Sequence, residues 1–122
     1  MRFWRTRLAI GAILLSGVAM QVNAHAIVVA AEPAANSVVH SPEFTIDLKF
    51  NSRIDRSRSR LALIDANGRS CRLELISLAP SDRMQAHASH VVPGRYRLEW
   101  VVLSTDGHIT RGNLKLEVSQ SR

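Results

Sequence analysis

Phe44, Ile46, Leu48 and Phe50 are apolar, and Thr45, Asp47 and Lys49 between them are polar. A strand sends successive side chains to opposite faces, so this spacing makes one dry face and one wet face. Tyr96, Leu98, Trp100 and Val102 repeat the pattern, and Leu114, Leu116 and Val118 repeat it again. A helix needs apolar residues every three or four positions, which these stretches do not provide. Each dry face has to be covered by another sheet, so the chain is pushed toward stacked sheets.

Further short strands are expected at Ile27–Ala31, Leu61–Ile64, Arg72–Leu78 and Met84–Val92, with the three above extended to Phe44–Phe50, Arg95–Leu103 and Leu114–Val118. Turn chemistry separates them: Pro33 with Asn36 and Ser37, Asn67-Gly68, Pro80-Ser81-Asp82, and Pro93-Gly94. The polar, arginine-rich stretch 51–60 reads as a solvated loop, with contact to an acidic partner as the alternative. The whole predicts an all-β, seven-stranded sandwich with Trp100 and Tyr96 in its core.

The first residues follow a different logic. Arg2, Arg5 and Arg7 precede the apolar run Leu8–Met20, and Val22 and Ala24 supply small side chains ahead of His25. A basic start, a short apolar stretch and a small-x-small site describe a secretory signal peptide over 1–24. The run is shorter than the ~20 residues that a transmembrane helix needs. One domain is then expected over 25–122, in a chain of 122 residues. Removing three arginines halves the formal net charge of +6. With aromatic residues at 5%, little is left to support nucleic-acid binding. Cys71 is the one cysteine, so an internal disulfide and a Cys-based zinc site are both excluded. Burial is expected for its thiol, an intermolecular disulfide being the alternative.

Cleavage after Ala24 would change the chemistry of His25. An N-terminal histidine offers its α-amine and its imidazole Nδ1 to one metal, closing a six-membered chelate ring. The amine has a reference pKa near 8, so a metal displaces its proton around neutrality. Asp106 and His108 are two positions apart, and on an extended segment both would face the same way. With His25 they would make a set of amine, two imidazoles and a carboxylate. Such a set suits Cu(II) in tetragonal geometry and Zn(II) in tetrahedral geometry, and spacing does not separate the two. The plainer reading is that Asp106-Gly107 forms a turn and His108 is a surface residue.

Three blocks bear a closer likeness to a known family. They are His25–Val28 with Glu32, Pro33, Ala34 and Ser37; Ile46–Asn51; and Gly94–Gly112 with its Ser104-Thr105-Asp106-Gly107-His108 core. Across the mature chain the sequence resembles the CopC family of periplasmic copper-binding proteins. The resemblance implies an immunoglobulin-like Greek-key β-sandwich. It also implies one Cu(II) per mature chain, bound by His25 through amine and imidazole and by Asp106 and His108. Some members carry a methionine-rich Cu(I) site. Here Met84 is the only methionine after position 24, so such a site is not expected, and Met84 with His87 or His90 would make a poor soft site. His40 reads as a loop histidine.

Three classes of function follow. The first is a periplasmic carrier, a monomer that buffers Cu(II) or delivers it to a membrane copper transporter in copper homeostasis or resistance. The second is an enzyme resembling the histidine-brace copper monooxygenases. Against it stand the short chain, with no inserted loops for a substrate surface, and Asp106, which would fill the position oxygen chemistry needs open. The third is a partner-binding sandwich in which metal is incidental, with Arg53–Arg60 as the contact. The first is the expected one.

Overall fold

The computed structural model describes residues 26–120. Within them eight strands run as β1 (Val28–Glu32), β2 (Ser37–Val39), β3 (Phe44–Phe50), β4 (Ile54–Asp65), β5 (Ser70–Leu73), β6 (Arg83–Ala88), β7 (Gly94–Ser104) and β8 (Ile109–Val118). The proposed signal peptide and His25 lie outside the described residues.

The strands form two sheets, one ordered β1-β3-β6 and the other β2-β8-β7-β4-β5. All pairings are antiparallel except β2 with β8. The alternating residues meet between the sheets. Ile46, Leu48 and Phe50 on one side and Leu61, Leu98 and Val102 on the other are at most 1% exposed. Burying a side chain of this size stabilises the fold by about 1.5–3 kcal/mol before chain entropy is counted. Trp100 is buried in the same core and Tyr96 packs at its margin, where its hydroxyl donates to the Val92 carbonyl at 2.6 Å.

Three local expectations need correction. β2 is an eighth strand, too short to show alternation, held by parallel pairing to β8 from Ser37↔Leu116 to Val39↔Val118. The stretch read as a solvated loop belongs largely to β4, which bulges against β7 between Asp55 and Arg60. A bulge adds unpaired residues and breaks the period-2 signal, which hides the strand in the sequence. Its polar groups are used internally. Ser59 Oγ donates to the Asp55 carbonyl at 2.6 Å and accepts from Leu103 N at 3.0 Å. Arg56 gathers the carbonyls of Pro80, Arg83 and Ser77 at 2.5, 2.9 and 3.2 Å.

The third correction concerns Cys71, whose side chain is exposed. β5 is the outer strand of the wider sheet, so a residue there pairs with Leu63 yet has little of the narrower sheet above it.

Candidate metal centre

The β7–β8 connection begins at Ser104, the last residue of β7, which is 3% exposed. Ser104 N donates to the His108 carbonyl at 2.9 Å and Gly107 N to the Ser104 carbonyl at 3.0 Å. Gly107 has φ +90°, a conformation that glycine adopts without a Cβ clash. The segment is thus a tight turn, the plainer of the two geometries that the sequence offers, and not an extended stretch.

The turn still brings Asp106 and His108 together. His108 Nδ1 lies 3.0 Å from Asp106 Oδ2. Asp106 Oδ1 accepts from the Ser104 hydroxyl in a short hydrogen bond and from His108 N at 3.2 Å. The Ser104 hydroxyl first, and the His108 contacts after it, hold the Asp106 carboxyl down to about 2. It is therefore a carboxylate throughout the physiological range. A neutral imidazole that donates from Nδ1 carries its lone pair on Nε2, the nitrogen then suited to a metal.

The start of the described chain reaches the same end of the sandwich. Ala26 is fully buried. Ile27 N donates to Asn51 Oδ1 at 2.9 Å, and Asn51 N donates back to the Ile27 carbonyl at 2.9 Å. Asn51 follows β3 directly, and three residues later Ile54 sits opposite Ser104 in the β4–β7 register. Two backbone steps thus connect Ile27 to the Asp106–His108 turn.

Among the described residues, no cluster of three or more His, Cys, Asp or Glu side chains could hold a metal. Asp106 and His108 form a pair that needs donors from elsewhere. The weak soft set around Met84 does not assemble: Met84 is fully buried in the core, whereas His87 on the same strand is exposed. His90 is exposed, with φ +56°. Ser104 and Asn51, quoted in the sequence blocks above without a role, emerge as positioning groups. The available signal was the serine two residues before an aspartate that is itself two before a histidine.

A family model described as CopC domain matches residues 28–119. The chain belongs to the CopC family. The CopC match spans both sheets and the Ser104–His108 turn. CopC from Methylosinus trichosporium OB3b has a similar fold, with a TM-score of 0.73 at 23% identity over 80% of this chain and 97% of that one. PcoC, a methionine-rich copper resistance protein from Escherichia coli, follows at 0.68 and 24%, over 79% of this chain and all of its own. Protein YobA of Escherichia coli (strain K12) is 28% identical over 120 residues, covering 92% of this chain and 93% of YobA.

Proposed function

We propose that the exported chain starts at His25 and carries one Cu(II) ion in the periplasm, buffering it or handing it to a membrane copper transporter. Membership of the CopC family and the similarity to PcoC, a copper resistance protein, support a part in copper handling. The observation that carries the reading is the Asp106–His108 pair, fixed in a turn at the end of the sandwich where the described chain begins.

The donor chemistry fits the ion. A free α-amine and imidazole at His25, with His108 Nε2 and an Asp106 oxygen, make a nitrogen-rich set with one anionic oxygen, which suits Cu(II). The carboxylate needs no deprotonation near neutrality, because it is held at about 2. Both imidazoles must be neutral to bind, so affinity falls as pH drops through the imidazole range. The role is that of a carrier and not of a catalyst: the metal is cargo, and no step requires its redox change.

Three forms of the exported protein test this by Cu(II) competition against a chromogenic chelator, after N-terminal sequencing. The natural form binds one ion. His108→Ala, and a form with one extra residue ahead of His25, each bind roughly 100-fold more weakly or worse. Equal affinity in all three forms, or a terminus other than His25, rejects the assignment.

A further inference from the structure

The five-stranded sheet has an outer side, and its register fixes which residues lie there. Arg60 and Arg111 flank Val101 across β4, β7 and β8. Arg97 lies beside Lys115, Arg95 beside Glu117, and Arg72 beyond Ala62 from Glu99. All six cations are exposed. Glu99 and Glu117 share the face, with Glu99 paired to Arg97 at 2.7 Å, while Glu74 beside Arg60 and Arg72 and Asp55 opposite Leu103 stand at its edges. Across the rest of positions 25–122 stand seven cations and six carboxylates. Two of the three surplus positive charges over those positions therefore lie on this one flat side, whose middle carries six cations and two carboxylates.

We propose that this face docks the protein on an anionic lipid surface. A group of four to eight Lys and Arg side chains is the size of patch that binds anionic headgroups, at low salt most of all. A protein partner would be anchored by aromatic or apolar side chains in pockets. The apolar residues in the middle of these cations, Ala62, Ile64 and Val101, are instead half-buried between the strands, and the exposed Val38 and Ile109 stand singly at opposite ends of the face. At the end of the face away from the Asp106–His108 turn lies an open groove of about 500 Å³, walled by Arg95, Arg97 and Lys115 and bordered by Asp65 and Glu117. Three cations around an open hollow suit a phosphate headgroup. Docked this way, β7 and β8 run along the lipid plane and hold their connecting turn beside it. The docking itself needs no copper.

Co-sedimentation of the exported protein with vesicles, with a chelator present, tests the proposal. Phosphatidylglycerol–phosphatidylcholine vesicles pellet the protein at low salt, pure phosphatidylcholine vesicles do not, and salt near 1 M, where charges are screened within about 3 Å, releases it. Arg60→Gln with Arg111→Gln weakens binding by about thirtyfold. Lys49→Gln with Arg53→Gln, two exposed cations off the face, leaves it unchanged. Because Arg60 and Arg111 are on the wet side, thermal melting of their double variant stays that of the natural protein. Equal pelleting with neutral vesicles overturns the proposal. So does an equal loss in both double variants, or capture by polyglutamate without any capture by vesicles.

Discussion

The β4–β5 and β7–β8 turns are built on the same hydrogen-bond frame. In the first, Asp65 N donates to the Arg69 carbonyl and Gly68 N to the Asp65 carbonyl, both at 3.0 Å. In the second, Ser104 N donates to the His108 carbonyl and Gly107 N to the Ser104 carbonyl, at 2.9 and 3.0 Å. The glycines have φ +82° and +90°. The side chains differ. Asp65 opens its turn, and its Oδ1 accepts from Asn67 N and Arg69 N, each at 2.9 Å. In the other turn a serine opens, the carboxylate sits two residues later, and a histidine closes. Asp106 Oδ1 is still spent on the turn, but its Oδ2 faces the His108 ring at 3.0 Å. Moving one carboxylate by two positions, and closing with an imidazole, turns a structural corner into half of the proposed ligand set.

The largest effect expected from this contrast separates the two aspartates. Asp65→Ala leaves two backbone N–H groups without their acceptor and destabilises the fold by about 1–2 kcal/mol, read by thermal melting. Its Cu(II) affinity stays that of the natural protein. Asp106→Ala loses roughly tenfold to 100-fold in Cu(II) affinity, read by chelator competition. Asp106 Oδ1 also accepts two hydrogen bonds in its own turn, so both variants melt lower and only the affinity scale separates them. An equal loss of Cu(II) affinity in both would break the division between a structural and a ligand-bearing turn.

The same contrast explains what could be read from the sequence. Alternation at Phe44–Phe50, Tyr96–Val102 and Leu114–Val118 is a direct record of burial, and those strands are where the pattern predicts them. β4 was legible only from Leu61 onward, because its bulge near Asp55 interrupts the period and Arg56 spends its charge on internal carbonyls. β2 has three residues and is held by its neighbour, so no local signal marks it. Residue type picks out Asp106 and His108, and their sequence is compatible both with strand alternation and with an Asp106-Gly107 turn. The operative cause is a turn closed by Gly107 and tied by Ser104, and a spacing of two does not distinguish the two geometries.

A smaller effect sharpens the comparison through the glycines. Nothing lies within 4 Å of a Cβ built on Gly68 or on Gly107, so alanine at either position meets no neighbour and only the backbone conformation resists it. Each substitution then destabilises by about 1 kcal/mol, with nearly equal falls in melting temperature. Gly107→Ala also weakens Cu(II) binding, because the pair it orients shifts, whereas Gly68→Ala does not. Unequal melting of the two variants would mean that the frames are not equivalent.

The smallest effect is one of acidity. Asp106 is held at about 2 against an ordinary 3.8, first by the Ser104 hydroxyl and then by His108. A depressed carboxyl binds its proton less readily folded than unfolded. Its contribution to stability is therefore complete above pH 3.8 and fades as pH falls through about 2. Carboxyl-carbon NMR of the metal-free protein should show Asp106 titrating near the lower value. Ser104→Ala removes the leading cause, so the midpoint moves up toward 3.8 while the turn keeps its backbone bonds. If the midpoint stays low in that variant, the serine is only a strand end. His108 alone then accounts for the carboxylate, and the distinction between the two turns rests on the imidazole.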